Sequence, residues 1–115
     1  MFLGCSTPAA AQETVVNRVE SQSATFEVVQ LVTGLREPWA LDFLPNGDVL
    51  ITERPGTLVR YSDGEVTRIT GVPDVAATGQ GGLLDVLVSR DFSESGLIFL
   101  TYSASYGSGV GTRVA

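Results

Sequence analysis

Histidine is absent from all 115 residues. Within this chain that excludes a Ser-His-Asp triad, a histidine-ligated zinc and a histidine general base. Lysine is absent too, since the seven basic residues are all arginines, and a Walker phosphate loop is excluded with it. The single cysteine, Cys5, cannot close an internal disulfide. Positive charge is scarce: thirteen acidic residues against seven basic ones leave a net charge of −6. Nucleic acid and anionic lipid both call for a basic patch, so neither is an expected partner. No stretch reaches the roughly 20 apolar residues of a membrane-spanning helix.

What remains is a globular composition of one small domain's length, 43% hydrophobic, with thirteen glycines and five prolines that signal many turns. Residues 1–25 are small and polar without period, and are expected to form a signal-peptide remnant or a disordered tail. "FLGC" is similar to the end of a lipoprotein signal, which makes Cys5 a candidate for a lipid anchor, and "AAAQ" to a small-residue cleavage site after Ala11.

The folded part is expected over residues 26–115 and is all-β. "FEVVQLV" is rich in β-branched residues and reads as a strand with no evident partner in the chain. "PWALDFL", "VLITER", "TLVRY" and "VTRIT" then follow, joined by turns at "PNGD", "RPG" and "SDGE". They make four short antiparallel strands. After "GVPDVAATGQGG" the pattern restarts: "LLDVLVS" repeats "WALDFLP" with Leu84 and Asp85 in the places of Leu41 and Asp42, and "LIFLTYS" repeats "VLITER". Four strands per repeat of about 40–50 residues is the signature of propeller blades. Half of a β-sandwich is the alternative, but the leading strands match in sequence as well as in pattern. The chain therefore holds about one and a half blades, and a second blade of two strands implies the N-terminal part of a longer protein. "GSGVG" at 107–111 lacks the strand–turn–helix setting of a dinucleotide loop and reads as a flexible segment.

The stretches "GLREPWALDFLPNGDVLITERPGTLVRY", "GVPDV", "GQGGLLDVLVSRDF" and "IFLTYS" together resemble the soluble PQQ-dependent aldose sugar dehydrogenases of the glucose/sorbosone dehydrogenase family. The resemblance implies a six-bladed propeller that binds pyrroloquinoline quinone (PQQ) and calcium. It implies oxidation of the C1 hydroxyl of an aldose to a lactone, with electrons leaving to an external acceptor. It also implies export to the periplasm. The family's catalytic histidine, arginines and calcium ligands lie in later blades, so this chain alone is expected to be inactive and to hold no metal.

Gln80 matches the glutamine beside cofactor and sugar in the family's motif. An amide donates and accepts while staying neutral, which suits a quinone or sugar oxygen. Gly79 and Gly81, with Gly82, are expected to support it by letting the backbone come close. Without the resemblance, Gln80 reads equally well as the cap of a turn. Arg54 and Arg60 are the cations available to the three PQQ carboxylates, though arginines on a blade commonly only solubilise it. Asp42 and Asp85, repeated in both units, read as structural groups that bond backbone amides, and Trp39 and Phe43 as blade-packing residues. A non-catalytic propeller that binds or scaffolds is the competing class. It would carry the same repeats but has no evident need for Gln80.

Overall fold

The computed structural model describes residues 13–115, so Cys5 and both processing signals lie outside the described residues. Among these residues the chain is nine strands and one short helical turn, arranged in three antiparallel sheets.

The first sheet is a hairpin of β1 (Glu13–Glu20) and β2 (Thr25–Gln30). The structure corrects two expectations here. Residues 13–20 are a strand rather than part of an unstructured tail, and the "FEVVQ" strand has a partner within the chain. The signal for β1 is the β-branched content of "TVVNRV". Nearly all of β1 is exposed, so it lacks the buried face that makes a strand legible.

The second sheet is a meander of β3 (Pro38–Phe43), β4 (Val49–Glu53), β5 (Thr57–Ser62) and β6 (Glu65–Ile69), in chain order. These are the four strands read from the sequence. Asp63 and Gly64, both at positive φ, turn β5 into β6 as a type I′ hairpin requires. All five residues of the interior strand β4 are buried. Its two faces feed two cores: Leu50 packs with Leu58 toward the next sheet, while Val49 and Ile51 pack with Val59, Val32 and Leu35.

The third sheet is β7 (Leu83–Val88), β8 (Ile98–Tyr106) and β9 (Gly109–Val114), with the helical turn α1 (Phe92–Ser95) between β7 and β8. It has three strands, not the two expected. "GSGVG" is the hairpin turn and the start of β9, with Gly107 at φ +52 in the turn. A Cβ on Gly111 would stand 2.9 Å from the Tyr106 ring, which covers that glycine. Its glycines, poor strand formers by composition, hid β9 from sequence.

The second and third sheets share one core, in which Leu50 and Leu58 meet Leu83, Val86, Leu100 and Tyr102. Two polar groups cross this junction. Fully buried Thr52 on β4 accepts from Ala40 N (3.1 Å) and donates from Oγ1 to Leu84 O on β7 (2.5 Å). Asp42 on β3 accepts from Val88 N on β7 at 2.7 Å. Trp39 and Phe43, expected to pack within the blade, are instead exposed on the face of β3 turned away from this core. All-β sheets stacked through repeated first strands are the propeller architecture anticipated from the repeat.

The β3–β4 turn carries an acid-sensitive group. Hydrogen bonds from Ser62, Arg60 and Asn46 hold the Asp48 carboxyl below its ordinary value of 3.8. A depressed folded-state pKa gives stability that is present above the unfolded value and lost as pH falls through the folded one. The thermal midpoint is therefore expected to decline below about pH 4, and less steeply in Asp48→Asn. Melting curves between pH 2 and 7 check this, and identical slopes in both proteins would contradict it.

Candidate functional site

The connector from β6 to β7 ends in the loop Ala76–Gly82, whose tip carries Gln80. Two turn bonds shape it: Thr78 N donates to Ala76 O and Gly81 N to Thr78 O, both at 2.9 Å. Two more tie it to β8: Ala76 N donates to Ser103 O (2.7 Å) and Ser103 N to Gly82 O (2.8 Å). The side chain of Gln80 is exposed at the tip.

The glycines around it have distinct tasks. Gly79 adopts φ +57 with open space where a Cβ would go. Gly81 lies against β8, where a Cβ would come within 2.8 Å of Ser103 Oγ and 2.9 Å of Ala76 O. Gly82, at φ +146, lies against the end of β4, where a Cβ would sit 2.1 Å from Arg54 O. That close approach is what lets Leu83 N donate to Arg54 O at 2.9 Å. Conformation matters at Gly79, and proximity at Gly81 and Gly82.

Arg54 is the organising side chain. Its Nη1 donates to Gly79 O (3.1 Å) and Gly81 O (2.9 Å), the carbonyls on either side of Gln80. Its Nε and Nη2 donate to Glu37 Oε2 at 2.6 and 2.5 Å. A planar guanidinium suits such a junction because its donors leave in fixed directions. Glu37 sits at φ +49, an uncommon conformation for a residue with a side chain, and accepts from Arg54 N at 3.0 Å. Buried Glu53 supports this segment by accepting from Arg36 N at 2.5 Å.

These contacts change the reading of two residues. Arg54 faces the loop carbonyls and Glu37, and Arg60 pairs through Nε and Nη2 with Asp48, so both are engaged within the chain. Asp42 and Asp85 each accept from the next residue's N–H, Phe43 at 2.8 Å and Val86 at 3.0 Å. The clamp formed by Arg54 and Glu37 is the part that sequence reasoning missed. A long-range bond from a side chain to backbone carbonyls requires no particular residue type at the accepting end.

The cluster can bind and orient an oxygen of a ligand through one neutral amide on a fixed backbone. Its carboxylate, Glu37, is engaged by Arg54. Among the described residues no group of three or more acidic, cysteine or histidine side chains gathers to hold a metal ion. Two open clefts, of about 590 and 410 Å³, follow the connector at 70–76 and are not lined by Gln80.

The family model for glucose/sorbosone dehydrogenase matches residues 35–115. The chain is 49% identical over 83 residues to the aldose sugar dehydrogenase YliI of Escherichia coli, covering 70% of this chain and 22% of that protein. Among solved structures, a glucose dehydrogenase is 45% identical with a TM-score of 0.71, covering 74% of this chain and 28% of the other. The PQQ-bound form of an aldose sugar dehydrogenase from Streptomyces coelicolor is 31% identical with a TM-score of 0.65, covering 73% and 25%. The chain thus spans about a quarter of the length of the relatives it matches.

Proposed function

The chain belongs to the glucose/sorbosone dehydrogenase family, and from that membership we propose that it is part of a sugar-oxidising oxidoreductase in which Gln80 touches the ligand. The observation that carries this is the clamped loop: an exposed neutral amide is held between two carbonyls, both fixed by Arg54. A scaffold would have no use for so much order around an exposed glutamine.

PQQ is the redox group that the PQQ-bound relative suggests. When bound it supplies a two-electron acceptor. The residues here fit one side of such a group: Gln80 can donate to a quinone oxygen or to a sugar hydroxyl oxygen and can accept from a hydroxyl. Its neutrality leaves the charge of the ligand unbalanced by this contact. The cations for the PQQ carboxylates, and any calcium, would come from other parts of the full-length protein, because Arg54 and Arg60 are engaged. The reaction in this reading is oxidation of an aldose at its C1 hydroxyl to the lactone, with electrons passed to an external acceptor in an exported protein. The role of this chain is to bind and orient, with the loop backbone fixed before the ligand arrives, so that little ordering remains to be done on binding.

Gln80→Ala in the full-length protein is the test. Loss of one ligand hydrogen bond is expected to lower kcat/KM about tenfold, while the urea midpoint stays unchanged because the exposed side chain supports nothing else. Unchanged turnover with saturating PQQ and sugar would remove Gln80 from the site.

A further inference from the structure

The smaller of the two clefts along the connector, about 410 Å³, is large enough for a small ligand and has no task in the reading above. Two elements line it. The β8–β9 pair supplies Tyr102, Ser105 and Arg113, and the connector supplies Asp74, Val75 and Ala76. Tyr102 is buried and lies directly across the ladder from Arg113, so this side of the cleft is built on a sheet.

Its charges are of both signs. Arg113 is held by Tyr106: its Nε donates to the Tyr106 hydroxyl, and its guanidinium carbon stands 4.3 Å from the ring centroid. Neither Arg113 nor Asp74 forms an ion pair among the described residues. That combination selects a ligand. An anion in the cleft would meet the Asp74 carboxylate, and a cation would meet Arg113. A neutral polyol suits both, because its hydroxyls can donate to the carboxylate and accept from the guanidinium.

The cleft also adjoins the Gln80 loop. Ala76 lines the cleft and begins that loop. Four residue steps separate Ala76 from Gln80, at most about 14 Å of chain. The turn bonds from Thr78 N to Ala76 O and from Gly81 N to Thr78 O shorten this span, and the bonds to Ser103 fix the loop against β8. A sugar oxidised at C1 reacts at its reducing end. In an oligosaccharide the remaining units therefore extend away from the reacting carbon, and the cleft lies within their reach.

We propose that this cleft is a subsite for a further unit of a neutral oligosaccharide whose reducing end sits at Gln80. Asp74 accepts from the hydroxyls of that unit and Arg113 donates to them. The inference rests on the reading that Gln80 touches the sugar. It makes Asp74 and Arg113 specificity residues rather than catalytic ones, and a monosaccharide leaves them unused.

Glucose, maltotriose and cellotriose, compared as substrates of the full-length protein with PQQ, test it. The two trisaccharides extend the same reducing-end glucose in different directions. At least one is expected to show a KM about tenfold below that of glucose. Asp74→Ala and Arg113→Ala should each remove that advantage and leave kcat/KM for glucose unchanged. Asp74 is exposed on the connector, so its variant decides if Arg113→Ala disturbs Tyr106. Calorimetry reads binding without turnover: a methyl glycoside of the preferred trisaccharide, or of both if neither is oxidised, is blocked at C1 and should bind Asp74→Ala about tenfold more weakly than the unmodified protein. The proposal is overturned if neither trisaccharide is preferred over glucose, if the preference survives in both variants, or if glucose and trisaccharide turnover fall alike. If no aldose is oxidised at all, the methyl glycosides decide. Binding that depends on Asp74 then keeps the sugar subsite and removes the oxidation reading, and absence of binding overturns both.

Discussion

Gly82→Ala is expected to destabilise the full-length protein by about 3 kcal/mol or more. The added methyl carbon would stand 2.1 Å from Arg54 O, a backbone atom that no rotamer change can move. Relief requires the strand end and the loop to separate. That would break the bond from Leu83 N to Arg54 O and weaken the one from Ser103 N to Gly82 O. The residue also sits at φ +146, where an L side chain is strained in any case. Gly79→Ala is the internal comparison: its φ of +57 costs about 1 kcal/mol, and nothing lies within 4 Å of the new carbon. Urea unfolding of the two variants checks the contrast. Equal, small losses would mean that the loop does not press on β4.

Arg54→Ala is expected to reduce both order and activity. Its charged donors fix the carbonyls of Gly79 and Gly81, and Glu37 loses its partner in the same step. Hydrogen bonds from a charged donor contribute about 1.5–3 kcal/mol each in favourable cases, and this exposed cluster belongs at the low end. The loss in kcat/KM is expected to reach tenfold or more, because a misplaced contact residue is nearly as ineffective as a missing one. If Arg54 acts through Gln80, the double variant Arg54→Ala/Gln80→Ala falls little below Gln80→Ala alone. Additive losses would show instead that Arg54 serves the site by another route. Arg54→Lys should restore only part of the activity, since an ammonium cannot reproduce the fixed fork that reaches both carbonyls and Glu37.

Sequence reasoning reached the strands β2 to β8 because each has either an alternating pattern or a β-branched run, and because Asn46-Gly47 and Asp63-Gly64 mark two of the turns. It failed on β1 and β9 for opposite reasons. β1 has β-branched residues but scarcely a buried position, so no contrast between its faces exists to be read. β9 has a strand's place but glycines at 109 and 111, one of them covered by the Tyr106 ring. At the site, "GQGG" was legible as a stretch where the backbone must turn or come close. What it approaches was not. Arg54 lies 25 residues before Gly79, and its partners are carbonyls, which every residue type carries. The repeat of Asp42 as Asp85 was visible in the sequence. That Asp42 reaches across to another sheet became visible only once Val88 N was placed beside it.

The most direct measurement is dye reduction by the full-length protein, purified without cofactor and then titrated with PQQ in the presence of aldoses. Reduction that rises with PQQ to saturation and requires an aldose is the expected result, and Gln80→Ala should lower it about tenfold. Calorimetry would show in parallel whether PQQ has bound. No aldose-dependent reduction by a protein that holds PQQ would contradict the assignment and return the chain to the binding or scaffold class.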